Sequence, residues 1–178
     1  VAAHAGKALT VNSAGTGLEY GNTINSNKYN VNQVPLITQV HSFIQTDFND
    51  LNQSRFFTHS PHWDGMAGSP VYGMKSVVNM IPYAISIGTD NDGESQTDFT
   101  FQIRARTDTS NIANITTSDT TVRGTVTINN LEEYDTQMGL FTGATQISVN
   151  QSWGLYLSSM SPDGYAGEIV TKVYFYQA

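Results

Sequence analysis

The chain has 178 residues, a formal net charge of −7, and charged side chains at only 13% of positions, roughly half the usual share. The absence of cysteine excludes disulfides, thiolate metal sites and cysteine nucleophiles. Its eight Lys and Arg are scattered, unlike the basic footprint of a nucleic-acid binder, and no apolar run reaches the ~18 residues of a membrane span; neither a nucleic-acid partner nor membrane insertion is expected.

The first element in chain order is Gly6-Lys7-Ala8-Leu9-Thr10-Val11-Asn12-Ser13-Ala14-Gly15-Thr16-Gly17-Leu18-Glu19-Tyr20-Gly21. Two short apolar-polar pieces flank a bend of small residues, the pattern of a β-hairpin. A lone hairpin is marginal in water, so this one needs something to lean on. Residues 22–33 are polar and read as a linker. The expected organisation is therefore a stalk or attachment segment over 1–33 and a head domain over 34–178.

Strand patterns dominate the head. Val34 to Ile44 alternates around Leu36, Thr38, Val40 and Ser42. A short helix is predicted over Asp47–Phe56, capped by Thr46 or Asp47. Val77 to Ile87 reads as a strand, with Pro82 marking an edge or a bulge. Phe99, Phe101, Ile103 and Ala105 share one face of the next run, and Thr100, Gln102, Arg104 and Arg106 the other. Val122, Val126 and Ile128 repeat the period, as do Trp153, Leu155 and Leu157. Asp90-Asn91-Asp92-Gly93 reads as a hairpin turn, and Asn129-Asn130 and Ser161-Pro162-Asp163-Gly164 as further turns. Strands of this length with such turns predict an all-β fold: an antiparallel β-sandwich, with a jelly-roll-like head as the favoured form.

The last strand, Gly167 to Gln177, is apolar on both faces. Ile169, Thr171, Val173 and Phe175 would face the core. Val170, Tyr174 and Tyr176 would then need cover from a neighbouring subunit or remain as half-exposed rings. They are candidate oligomer contacts.

Residues 45–76 interrupt the strand rhythm with a long aromatic stretch, and long loops are often functional. His59, His62 and Asp64 have a weak metal-like spacing, but Pro61 forbids the helix on which such a pair would sit. No metal and no cofactor is expected. Trp63 and Tyr72 could stack on sugar rings, with His59, His62 and Asp64 beside them to hold hydroxyls. Phe56 and Phe57 read better as a satellite core pinning the loop. Asp90 to Glu94 fails the spacing of a calcium loop, and Glu132, Glu133 and Asp135 read as a solvated acidic turn. With no Gly-x-Ser-x-Gly elbow and no phosphate loop, no catalytic residue is expected.

The segment Gly6 to Tyr20 resembles a short repeat of bacteriophage fibre and appendage proteins, of the form Gly-Lys-x-Leu-x-Val-Asn-x-x-Gly-Thr-Gly-Leu-Glu. The resemblance covers about 16 residues and implies a virion location, on a tail fibre or the capsid exterior. It implies a homotrimer in which Leu9, Val11 and Leu18 of each chain bury one another on the axis, and attachment to other virion proteins through the N-terminal segment. The expected function is non-enzymatic: the distal head of a trimeric tail fibre or spike that contacts a host-surface glycan or protein. The alternatives are a capsid decoration protein or head fibre and, less favoured, a polysaccharide-degrading enzyme, whose usual internal repeats the sequence lacks.

Overall fold

The computed structural model describes residues 8–11, 18–21, 30–31, 34–35, 37–45, 54–57, 71–89, 96–109, 114–132, 134–161 and 168–178. They form fifteen strands and no helix: β1 (Ala8–Val11), β2 (Leu18–Gly21), β3 (Asn30–Val31), β4 (Val34–Pro35), β5 (Ile37–Gln45), β6 (Arg55–Phe56), β7 (Val71–Tyr72), β8 (Met74–Lys75), β9 (Met80–Thr89), β10 (Thr97–Arg106), β11 (Asn114–Ile115), β12 (Thr120–Leu131), β13 (Thr136–Leu140), β14 (Ser152–Ser161) and β15 (Ile169–Gln177). The pairings are antiparallel throughout, and the protein is all-β.

The chain divides into two units, Val1–Leu36 and Ile37–Ala178. In the first, β1 and β2 pair from Ala8↔Gly21 to Val11↔Leu18, the hairpin that the opening segment predicts. A second small pair joins β3 to β4, so part of the expected linker is strand, and the run from Val34 is divided between β4 and β5.

In the second unit, one sheet has the order β13-β9-β15-β5, and the other β12-β10-β14-β6 with β8 also on β14. Their inward faces share one hydrophobic cluster. The four-stranded sheet supplies Phe43, Ile85, Ile87, Ile169, Val173 and Phe175; the five-stranded sheet supplies Phe99, Phe101, Ile103, Val126, Ile128, Trp153, Leu155 and Leu157. Trp153 is the pivot. Its ring meets Phe175 at 4.8 Å, His41 at 5.0 Å and Phe43 at 6.2 Å, each edge-on, geometries that aromatic quadrupoles favour. Thr171 is polar and fully buried among these groups, and its hydroxyl is satisfied by donating to the Phe43 carbonyl.

The alternation of β10 matches the sequence pattern, with Phe99, Phe101, Ile103 and Ala105 inward. Pro82 sits at a bulge, where the register between β15 and β9 shifts from Tyr174↔Ala84 to Phe175↔Pro82. Val122 departs from expectation. The β10–β12 register slips between Ile103↔Gly124 and Arg104↔Val122, and one extra residue turns every later side chain to the opposite face. Val122 is therefore 41% exposed while Val126 and Ile128 are buried.

Further expectations are corrected. β9 and β10 do not pair as a hairpin, since β9 belongs to the four-stranded sheet and β10 to the five-stranded one; residues 90–93 themselves lie outside the described residues. Asn129-Asn130 do not form a turn: they lie inside β12, where its register with β10 shifts between Phe99↔Ile128 and Thr97↔Leu131 and Asn130 takes φ 54°, and residues 162–164 of the turn expected at 161–164 lie outside the described residues. The helix predicted over 47–56 ends instead in strand, since Arg55 and Phe56 pair with β14; its residues 47–53 lie outside the described residues.

Candidate functional site

Of the loop residues expected to form a recognition surface, His59, His62, Trp63 and Asp64 lie outside the described residues. Tyr72 is placed. It lies on β7 opposite Asn114 of β11 and is 83% exposed. Its neighbour Val71 points the other way, into a small cluster with Phe56 and Ile115, against which Tyr156 packs. Phe56 meets the Tyr156 ring at 4.9 Å, and the Arg104 guanidinium lies 5.5 Å from that ring's centre. Gly154 makes this seat possible, because a Cβ there would stand 2.6 Å from Ile115 Cδ1. Phe57 enters the main core, edge-on to Phe101 at 5.5 Å. The satellite-core reading holds for Phe56, and Phe57 goes deeper.

The β11 side of this region is pinned by charge. Arg106 Nη1 donates to Asp119 Oδ2 at 2.6 Å, and Arg106 Nη2 to Asp108 Oδ2 at 2.9 Å. Asp119 Oδ1 accepts the Thr116 N–H at 2.7 Å, so one carboxylate ties the strand end to the loop backbone. The hydrogen bond to Asp108, then the nearby Asp108 and Asp119 charges, hold the Arg106 guanidinium above its ordinary pKa.

The expected oligomer contacts fall in two places. The side chains of Leu9, Val11 and Leu18 lie outside what is described. Val170, Tyr174 and Tyr176 are half-buried on the outer face of the four-stranded sheet. The pairings build that face row by row. One row runs Leu140–Ala84–Tyr174–Val40, the next Met138–Ser86–Lys172–Ser42, and the next Thr136–Gly88–Val170–Ile44. Tyr176 continues it, with its ring 6.4 Å from Tyr83. On this face Val40 is 51% exposed, Ile44 37%, Met138 65% and Leu140 59%.

Sequence reasoning finds this face only along β15. Val40 and Ile44 alternate outward from Phe43, and Met138 and Leu140 flank Gly139. Nothing in one strand's pattern says that these residues share rows with Tyr174 and Val170. Gly139 is held to its size from within, because a Cβ there would lie 2.5 Å from Val126 Cγ2 and 2.6 Å from Ile128 Cδ1. The sheets approach so closely at this edge that β13 keeps its two large apolar side chains on the outside.

Beside the Val170 row a shallow hollow of about 250 Å³ is lined by Gly88, Thr89, Tyr134, Asp135, Thr136, Glu168 and Val170. Tyr134 adopts φ 55°, a left-handed backbone uncommon for a tyrosine. Asp135 is structurally engaged, accepting from the Thr136 N–H at 2.7 Å and from Gln137 Nε2 at 3.2 Å. Nearby, Glu132 accepts from Gln96 Nε2 at 2.7 Å. The acidic turn is thus a bonded rim carrying negative charge. No protein-family model matches the chain, and no curated protein matches it significantly.

Proposed function

We propose that the chain is a non-enzymatic virion protein: the distal part of a homotrimeric bacteriophage tail fibre or spike, whose jelly-roll-like head attaches to a glycan on the host surface. The observation that carries the reading is the segment Gly6 to Tyr20, similar to a repeat of phage fibre and appendage proteins, folded as its own β1–β2 hairpin. An all-β head and a polar surface largely built from uncharged side chains accord with it. Neutral polar surfaces respond weakly to salt, which suits a particle exposed to changing media.

In this reading Tyr72 stands at the edge of the recognition loop, with His59, His62, Trp63 and Asp64 preceding it in sequence. Three heads on one stalk multiply weak sugar contacts, because each later contact is made at high effective concentration. The N-terminal segment would fasten the protein to the rest of the particle.

The test is gold labelling of intact particles with an antibody raised against residues 37–178. Label at fibre or tail tips is the expected result. Label spread over the capsid would replace the adsorption reading with that of a decoration protein or head fibre. Release of reducing ends from host polysaccharide by the purified protein would overturn the non-enzymatic assignment.

A further inference from the structure

We propose that Arg123, held at a bulge in β12, is an oxyanion-binding group whose ligand presents a carboxylate, as an acidic sugar does. The position lies outside residues 45–76, and the proposal goes beyond the adsorption reading without depending on it.

The backbone places the residue. β10 and β12 pair Ile103↔Gly124 and then Arg104↔Val122, so Arg123 is left without a counterpart on β10. A bulge of this kind bends the strand and re-aims a side chain. The other edge of β12 is held at the same point. Thr125 and Thr142 exchange backbone hydrogen bonds, and the Thr145 N–H donates to the Arg123 carbonyl at 2.8 Å. The packing beside it is close, since a Cβ on Gly124 would stand 3.2 Å from Pro82 Cγ and 3.3 Å from Phe141 Cβ. Arg123 is therefore fixed from both sides of its strand.

The side chain is the second observation. Arg123 is half-buried. Its Nε is the one buried side-chain nitrogen or oxygen among the described residues that has no hydrogen-bond partner. The neighbouring arginines differ. Arg104 donates to Gln102 and Thr120, and Arg106 pairs with Asp108 and Asp119. Among the described residues Arg123 makes no ion pair, in a chain with 15 acidic and eight basic side chains. A guanidinium stays charged in proteins, and a buried N–H left unbonded lowers stability. A group kept against stability is characteristic of a binding site rather than of a structural contact.

Chemistry selects the ligand. Nε alone is closed off, which leaves the terminal Nη1 and Nη2 to meet a partner. Their parallel N–H groups match the two oxygens of a carboxylate. The adjoining stretch 142–146 is exposed and carries Thr142, Thr145 and Gln146. These supply neutral hydrogen-bonding groups and no negative charge to compete with the ligand's. A cation would be repelled, and a neutral sugar would leave the guanidinium without its counter-charge.

The probe is sodium glucuronate, added to the full chain while the Arg123 Nε–H resonance is followed by NMR. That resonance is assigned by its absence from the Arg123→Lys spectrum. A saturable shift with glucuronate, absent with glucose and with sodium chloride at equal ionic strength, is the expected result. Arg123→Lys keeps the charge and loses the fork. Followed at the Thr145 amide, it should bind glucuronate at least ~10-fold more weakly, the factor carried by one charge-assisted hydrogen bond. No saturable shift, or an equal shift with chloride, overturns the proposal. Inorganic phosphate binding more tightly than glucuronate overturns the choice of a carboxylate. Arg123→Met keeps the stem and removes the stranded N–H, so its urea midpoint should equal or exceed that of the natural chain. A lower midpoint would show that the guanidinium supports the fold, and would overturn its reading as a binding group.

Discussion

Trp153 of β14 and Phe175 of β15 stand with ring centroids 4.8 Å apart and planes at 66°, so the two sheets of the second unit meet ring against ring. Both are essentially inaccessible to water. Removing the indole would leave a cavity that His41, Phe43 and Phe175 cannot all collapse into. Trp153→Ala should therefore cost about 3–5 kcal/mol. Urea denaturation measures it, and a loss below about 1 kcal/mol would show that the sheets do not depend on this contact.

Gly139 tests how closely β13 lies over β12. A methyl group there would press on Val126 and Ile128, both buried in the shared core. Gly139→Ala is expected to destabilise by about 1–3 kcal/mol, the range for overpacking, although alanine ordinarily suits a strand no worse than glycine. An unchanged denaturation midpoint would mean that β13 can lift away freely.

Much of this fold is written in local periodicity. Phe99 to Ala105 declares its buried face because alternation is a property of one strand alone, and β14 and β15 do the same. What the sequence does not carry is which strand lies beside which. Asp90-Asn91-Asp92-Gly93 has the chemistry of a reversal, and turn chemistry is blind to whether the next strand pairs with the last or crosses to the other sheet. The same blindness hides the exposed face: Tyr174 looks exposed by itself, but its alignment with Leu140 and Val40 exists only in the pairing. Val122 fails for a third reason, since a single bulge reverses the phase. Residues 45–76 are legible in the sequence as an aromatic stretch that breaks the strand pattern, and of the candidate binding residues in it Tyr72 is placed and exposed; the pinning of Phe57 against Phe101 depends on a strand far away in sequence.

Asp119 should govern the order of the loop between β10 and β12. Its two oxygens bind the Thr116 N–H and Arg106 separately. Asp119→Ala loses both, and the backbone bond alone is worth about 1 kcal/mol. Asp119→Asn keeps one acceptor oxygen, which can serve the backbone N–H while the ion pair is lost. Hydrogen exchange at Thr116 should accelerate in the alanine variant and much less in the asparagine variant; equal acceleration would assign the effect to charge instead. The pH dependence follows from the sign of the Arg106 shift. A cation whose folded pKa is raised contributes its stability at every pH below the ordinary guanidinium value and loses it only as pH rises through the folded value. Across the neutral range this contribution is flat.

Tyr72 separates recognition from folding. Its ring is exposed while the neighbouring Val71 holds the strand down. Tyr72→Ser should shift stability by less than about 0.5 kcal/mol, as surface substitutions do. If the loop is the adsorption surface, the same variant should bind host cells several-fold more weakly in a pull-down with intact cells. Unchanged binding by both Tyr72→Ser and Trp63→Ala would move the recognition surface elsewhere.

The two units differ in what they need. Among the residues whose side chains are described, every member of the main hydrophobic cluster lies at Phe43 or beyond, and both sheets that bury it are built from residues 37–178. A chain starting at Ile37 keeps all of β5 and every pairing of the four-stranded sheet. Deletion of residues 1–36 should therefore leave a cooperatively folding head, with a far-ultraviolet spectrum typical of strands and a single urea transition. If the proposed trimer is held by copies of β1 and β2, the deletion should also lower the mass of the protein towards that of single chains, and a truncated protein that keeps its self-associated mass would place the contact in residues 37–178. Sedimentation over a hundredfold range of concentration, roughly 3 kcal/mol of association free energy, distinguishes the cases. An unfolded product would make the first 36 residues part of the head's own stability and would overturn the division into stalk and head.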